Sequence, residues 1–211
     1  MEAMSPELVD AQLNAVLEDI PPTAAKTGAL GTAEIVQLIG ERAAGFTFPL
    51  VVDPVMISKQ GMHLLTEQAR AAILKYLIPN AFLVTPNLHE AAALAGIPVS
   101  DIGGMEEAAE RIFALGARAV LVKGGHLSGE AVDVLYWQGR FQRFSAQRCN
   151  TVNTHGTGCT YSAAITAELA KGKPLDEAVA ISKRFITLAI QTSPGLGKGF
   201  GPVNHHCRID D

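Results

Sequence analysis

The residues best suited to chemistry lie in Asn153-Thr154-His155-Gly156-Thr157-Gly158-Cys159-Thr160, which runs directly into the small-residue stretch Tyr161-Ser162-Ala163-Ala164. Glycines ahead of a helix let the backbone approach a ligand closely and leave N–H groups pointing outward at the positive end of the helix dipole, where a phosphoryl oxygen or other anion is stabilised. The plainer alternative is a strand–helix turn in which glycine only relieves strain. No Gly-Lys-Ser/Thr follows, so the segment is not a Walker A loop. Cys159 falls at the helix start, where neighbouring amides are expected to depress a thiol pKa; it reads as a general base, a covalent nucleophile, or a small buried residue.

Two further clusters have similar character. In Asn87-Leu88-His89-Glu90, Asn87 is a natural helix cap and Glu90 three residues on completes a capping box. Alternatively, Glu90 and Asp53 hold a hydrated Mg²⁺ beside phosphate groups, since hard cations prefer such carboxylates. In Lys123-Gly124-Gly125-His126, the lysine follows an apolar run and is placed to neutralise phosphate as a point charge, the alternative being a surface lysine before a glycine turn. Cys149, His126, His155, His205, His206 and Cys207 match no usual zinc-ligand spacing. No Gly-x-Ser-x-Gly elbow is present.

The elements that position these residues alternate along the chain. Ser5-Pro6-Glu7 starts a helix carrying Val9, Leu13, Val16, Leu17 and Ile20 on one stripe, and Pro21-Pro22 stops it. Thr32 opens a second helix. Leu50–Val52 reads as a buried strand closed by Asp53-Pro54, and Phe82–Thr85 and Ala119–Val122 read likewise. Helices are expected over about 67–77, 88–95, 105–115, 159–171 and 175–190. A hairpin is expected around Gln138-Gly139, joining 132–137 to 140–144. All-apolar strands alternating with helices predict one α/β domain over 1–211, with a mainly parallel sheet covered on both faces. Ligands then bind beyond the carboxyl ends of the strands, which brings forward Lys26-Thr27-Gly28, Asp53, Thr85-Pro86-Asn87, Lys123 and 153–160.

The 211 residues are 48% hydrophobic and 18% charged, which excludes a disordered or fibrous chain. With 17 Lys+Arg against 21 Asp+Glu, the net charge of −4 disfavours nucleic acid as a partner. No run approaches the roughly 18 apolar residues needed to span a membrane, and the N-terminal residues lack the order of a secretory signal. Three cysteines without a paired pattern suit a reducing, cytoplasmic setting.

At these same residues the sequence resembles the phosphomethylpyrimidine kinase family, the thiamine-pathway branch of the ribokinase-like kinases. The resemblance rests on AAKTGAL (24–30), VVDPVM (51–56), KQGMHLL (59–65), LVTPNLHEAAAL (83–94), AVLVKGGH (119–126), RFSAQR (143–148), NTHGTGCTYSAAI (153–165) and GFGPVNH (199–205), in family order across nearly all of 5–205. It implies a ribokinase-like three-layer α/β/α fold and ATP-dependent phosphorylation of 4-amino-5-hydroxymethyl-2-methylpyrimidine (HMP), then of its monophosphate, with Mg²⁺. Carried over, Gly156, Thr157, Gly158 and Cys159 form an anion hole with Cys159 as base. Lys123 approaches the nucleotide phosphates, Asp53 and Glu90 organise Mg²⁺, Thr85 and Asn87 line the same side, and His155 sits near the phosphates. Lys183 and Val203 would lie around the nucleotide pocket, and Gly28 on the pyrimidine side. A homodimer is the family default.

Relative to the family pattern, the sequence lacks an N-terminal strand, a Gly-rich GxDxxGGAG-type segment and a lid. The expectation is that most nucleotide residues are present, most pyrimidine contacts are not, and an apolar sheet edge is left open. The alternatives are a pyridoxal-type kinase of the same fold and a non-catalytic nucleotide-binding remnant. A thiol acyltransferase on Cys159 would need an oriented His–Cys pair, which spacing does not supply.

Overall fold

Local signals place most elements in the computed structural model, which describes residues 3–56, 66–125 and 129–209. Helix α1 (Pro6–Asp19) starts where the Ser5 hydroxyl accepts from the Leu8 amide, and α2 (Ala33–Ala43) starts at Thr32, which caps the Ile35 amide. Helix α3 (Glu67–Ala72) runs on through a π-helical turn (Ile73–Leu77) and a 3₁₀ turn (Ile78–Asn80). Helix α4 (Leu88–Ala95) opens on the Asn87–Glu90 capping box and closes on Gly96 in the left-handed region at φ 67°. Helix α5 (Ile102–Ala114) begins a few residues before the apolar periodicity suggests, because the Asp101 side chain caps the Gly104 amide. Helices α6 (Thr157–Ala170) and α7 (Leu175–Gln191) complete the set.

The strands are β1 (Ala25–Thr27), β2 (Leu50–Val52), β3 (Leu83–Val84), β4 (Ala119–Val122), β5 (Ala131–Trp137) and β6 (Arg140–Ala146). They form one sheet in chain order; β1 to β4 are parallel neighbours, while β4–β5 and β5–β6 are antiparallel. The sheet is therefore mixed. The β5–β6 turn places Gln138 at φ 52° and Gly139 at φ 72°, the doubly positive geometry of a type I′ hairpin.

Alternation along the strands sorts side chains onto two faces. Val52, Val84, Val120, Val122 and Val134 pack under α2 to α5, while Val51, Leu83, Ala119, Leu121 and Leu135 pack against Tyr161, Ile165, Ala178, Val179 and Ile186 of α6 and α7. The result is a three-layer α/β/α arrangement, and burial on both faces explains why the strands are apolar throughout. Among the described residues no helix is long and apolar enough to cross a membrane.

Two local features differ from the sequence reading. The sequence reading puts Lys26-Thr27-Gly28 just past a strand end, whereas Ala25–Thr27 is itself strand β1; Ala-Lys-Thr carries no apolar run and pairs through its register with β2, Ala25 to Leu50 and Thr27 to Val52. The apolar stripe of α1 is not core: no α1 residue is buried, and Val16 and Ile20 are 53% and 73% exposed. A two-pronged Asp10–Arg42 pair at 2.7 Å ties α1 to α2 instead. The KQGMHLL stretch (59–65) and His126 lie outside the described residues.

Gly40 is where α2 meets the π-helical turn. A Cβ there would stand 2.5 Å from the Tyr76 carbonyl oxygen, and the Asn80 side-chain amide donates to both carbonyls, 3.1 Å to Gly40 and 2.9 Å to Tyr76. Gly40→Ala is expected to destabilise the chain by about 1–3 kcal/mol through overpacking, seen as a thermal midpoint several degrees lower. An unchanged midpoint would show that the two helical segments can separate freely.

Candidate active site

Three residues that immediately follow parallel strands converge because their strands are in register. Asp53 follows β2, Thr85 follows β3 and Lys123 follows β4, and an isolated parallel bridge between Asn87 and Lys123, with the Lys123 amide 2.8 Å from the Pro86 carbonyl, extends the alignment past the strand ends. The Asp53 carboxylate is 2% exposed. Its Oδ1 accepts from Lys123 Nζ at 2.9 Å and from the Thr85 hydroxyl at 3.3 Å, and its Oδ2 accepts from the Ser162 hydroxyl at 3.0 Å. A buried carboxylate is tolerable only when it is paired and hydrogen-bonded in this way.

The start of α6 closes over this cluster. Gly156 takes the N-cap position at φ 82°, a conformation suited to glycine, and no side chain caps the helix. The Thr157 amide turns back to the Thr154 carbonyl, whereas the amides of Gly158 and Cys159 find no acceptor among the described residues. Lys123 Nζ lies 3.3 Å from the point a Gly158 Cβ would occupy, so the missing side chain lets the ammonium sit against the first helical turn. Free amides, a dipole end and an adjacent cation together form an anion pocket.

The C-terminal segment braces the loop into α6. The His155 amide donates to the Gly201 carbonyl at 3.0 Å, the Val203 amide donates to the His155 carbonyl at 3.3 Å, and Asn153 Oδ1 accepts from the Gly201 amide at 3.2 Å. A Cβ at position 201 would fall 2.4 Å from Asn153 Oδ1 and 3.0 Å from the Leu196 carbonyl oxygen, so a side chain there would break the Asn153 contact. His205 Nε2 stands 3.0 Å from the Thr160 hydroxyl.

Glu90 realises its capping role: Oε2 accepts from the Asn87 amide at 2.8 Å and Asn87 Oδ1 accepts from the Glu90 amide at 3.0 Å. Burial raises the Glu90 pKa; the Lys123 charge and the Asn87 and Met56 amides oppose this, and the Asp53 charge adds to it. Glu90 therefore shares the electrostatic neighbourhood of Lys123 and Asp53 while serving as a cap.

The sequence reading of the Cys159 thiol is corrected. Its residue is exposed, yet its pKa is raised rather than depressed. Desolvation of the sulfur is the first cause and the Asp53 charge the second; Lys26 and Lys123 pull the other way without cancelling them, and Glu90 reinforces the rise. Burial of the sulfur together with the acidic charges outweighs the two cations.

Three further candidates, Thr85, Val203 and Lys183, are buried. Thr85 is fully buried, so it supports Asp53 and presents no surface to a nucleotide. Val203 is a core side chain packed with α6 and α7, and only its backbone meets the His155 loop. Lys183 turns inward, bonding Asp133 Oδ2 at 2.7 Å and the Ala131 carbonyl at 2.9 Å. His155 is exposed at the loop, and a Cβ on Gly28, just past β1, would meet only Lys26 Nζ, at 3.6 Å. Ser162 was missed, although its position one helical turn after Cys159 could have flagged it. Lys26 was singled out only as part of a strand end, and it is one of the two cations acting on Cys159.

Residues 1–204 match the family described as phosphomethylpyrimidine kinase. The chain is similar to the thiamine biosynthesis bifunctional protein ThiED of Geobacter sulfurreducens, 46% identical over 213 residues that cover 100% of this chain and 44% of that protein. It is also similar to the hydroxymethylpyrimidine/phosphomethylpyrimidine kinase of Haemophilus influenzae, 44% identical over 203 residues that cover 93% of this chain and 76% of that one. An ADP complex of Bacillus subtilis pyridoxal kinase superimposes with a TM-score of 0.89 at 39% identity, covering 96% of this chain and 77% of that one. The chain thus spans less than half of the first relative and about three quarters of the other two.

Alkylation of Cys159 across a pH series, followed by peptide mass spectrometry, reads the electrostatics directly. The midpoint is expected above the ordinary thiol range of about 8–9, and Lys123→Met is expected to move it higher by removing a cation that favours the thiolate. A midpoint below that range would overturn the balance of charges described.

Proposed function

The chain belongs to the phosphomethylpyrimidine kinase family, and we propose that it transfers the γ-phosphoryl group of ATP first to the hydroxymethyl oxygen of HMP and then to a phosphate oxygen of the monophosphate. The observation that carries this reading is the anion pocket: two free amides at the start of α6, with Lys123 held against them by Asp53. Phosphoryl transfer asks chiefly for positioning and for stabilisation of spread negative charge, and that is what this pocket offers.

Each residue then has a part. The Gly158 and Cys159 amides and Lys123 receive phosphate oxygens. Asp53 fixes Lys123, with Thr85 and Ser162 fixing Asp53 in turn. Among the described residues no group of three or more His, Cys, Asp or Glu side chains is placed to hold a metal, so Asp53 and Glu90 would hold Mg²⁺ only in company with waters and substrate phosphates, the usual habit of that ion. When bound, it would neutralise phosphate charge. Asn87 serves this arrangement by capping α4 and holding Glu90; His155 lies at the pocket rim.

Cys159 has a part in one step only. In the first transfer the alcohol oxygen bonds to the γ-phosphorus, the bond from phosphorus to the ADP oxygen breaks, and the hydroxyl proton passes to the Cys159 thiolate. In the second, the acceptor is already an ionised phosphate oxygen and no base is needed. A raised thiol pKa leaves little thiolate at neutral pH, so the first step should quicken as pH rises toward that pKa.

Product formation from HMP and from HMP monophosphate with MgATP, measured by mass spectrometry, tests this. Wild type is expected to make the diphosphate, with the alcohol step alone rising with pH; Cys159→Ala is expected to slow that step by about 10²–10⁴-fold and to spare the second. Equal losses on both steps would assign Cys159 to pocket geometry instead. ATP binding without product would favour a nucleotide-binding remnant. The similarity to pyridoxal kinase favours pyridoxal as the second substrate to try in the same assay, and a faster rate on it would displace the pyrimidine reading.

Glu90→Gln separates cap from metal partner, because glutamine also completes a capping box. The thermal midpoint is expected to hold while the Mg²⁺ concentration for half-maximal rate rises. No change in Mg²⁺ requirement would leave Glu90 as a cap alone.

A further inference from the structure

Beneath the Lys123 loop lies a second buried ion pair for which the chemistry above has no use. Asp133 on β5 is 3% exposed and Lys183 on α7 is 9% exposed. Asp133 Oδ2 accepts from Lys183 Nζ at 2.7 Å, and Lys183 also donates to the Ala131 carbonyl at 2.9 Å. The other carboxylate oxygen, Oδ1, accepts from the Gly124 amide at 3.0 Å, and Gly124 is the residue next to Lys123. The loop has no slack at this point: a Cβ on Gly124 would fall 1.8 Å from the Val132 carbonyl oxygen. On its other side Arg148 donates to the carbonyls of Gly124 and Gly125, at 3.4 and 2.6 Å, and to that of Gly129.

A buried ion pair seldom exceeds a well-packed apolar pair in stability, so stability alone does not account for this one. Its geometry points elsewhere. One carboxylate oxygen is anchored from α7, leaving the other aimed at a backbone amide that cannot move without moving Lys123. We propose that Asp133, held by Lys183, is a positioning residue for phosphoryl transfer: it fixes the Gly124 amide and thereby sets the Lys123 ammonium at the anion pocket. This rests on the function proposed above. It also gives Lys183 its role, acting on the nucleotide site through Asp133 and Gly124 rather than by contact.

Single substitutions would strand a buried charge, so the test uses two charge-neutral double variants. Asp133→Asn with Lys183→Met keeps an acceptor for the Gly124 amide; Asp133→Leu with Lys183→Met removes it. Both are assayed for melting temperature and for KM and kcat with MgATP. The first pair is expected to hold KM for ATP within about threefold of wild type, and the second to raise it about tenfold, an effect that disappears when Lys123→Met with Asp53→Asn is already present because the two act as one unit. Equal KM values in the two folded doubles, or the same fold-loss with and without Lys123, overturns the proposal. If the leucine pair fails to fold, Asp133→Ala with Lys183→Met replaces it under the same criteria. If wild type binds ATP but makes no product, the function proposed above fails alone, and the comparison is read on the Kd for ATP by calorimetry; if wild type binds no ATP, both fall.

Discussion

The Lys123–Asp53 ion pair joins the ends of β4 and β2 across β3, directly under the first turn of α6. At 2.9 Å, with side chains 11% and 2% exposed, it is shielded from water on nearly every side. Taking two charges out of water costs several kcal/mol per ion, and their attraction offsets this only when the remaining lone pairs are satisfied. Thr85 and Ser162 satisfy them here. Removing one partner would leave an uncompensated charge, a loss of about 3–5 kcal/mol, so the strand ends, the α6 start and the cation stand or fall together. The pair adds little net stability; its effect is to hold a positive charge at one point.

Close backbone approach makes that point accessible. At Gly158 the absent side chain admits Lys123 to the helix start, at Gly124 it lets the loop lie against the Val132 carbonyl, and at Gly201 it lets the C-terminal segment lie against Asn153. The three contacts brace the pocket from below, from the hairpin side and from the C-terminal side. At Gly124 the obstacle is fixed backbone, whereas at Gly158 and Gly201 a larger residue would first displace the Lys123 and Asn153 side chains; none of the three is there for turn conformation.

Burial also sets the protonation chemistry. It lifts both Glu90 and Cys159, and in each case the charges of the Lys123–Asp53 pair act in opposite directions on the same group. Rearranging that pair therefore retunes both groups at once. A pocket built this way presents donors and positive charge to an anion, while burial keeps the Cys159 thiol largely protonated near neutral pH, which suits a reaction that depends chiefly on charge stabilisation.

What the sequence determined by itself is local: the caps at Ser5, Thr32 and Asn87 act within three residues, the Gln138-Gly139 turn depends on two adjacent backbone conformations, and the Gly-Thr-Gly-Cys helix start is a contiguous motif. The capping box of Glu90 and the strand ends carrying Asp53, Thr85 and Lys123 were legible for the same reason. Only the tertiary structure decided that Lys123 meets Asp53 across 70 residues, Ser162 meets Asp53 across 109 and Lys183 meets Asp133 across 50. It alone made a strand of Ala25–Thr27, left the α1 stripe exposed, turned Lys183 inward and raised the Cys159 pKa. Each of these depends on which charges and surfaces distant segments bring together. Spacing along a chain can encode a helix face or a turn, but desolvation and Coulomb interactions depend on distances in space.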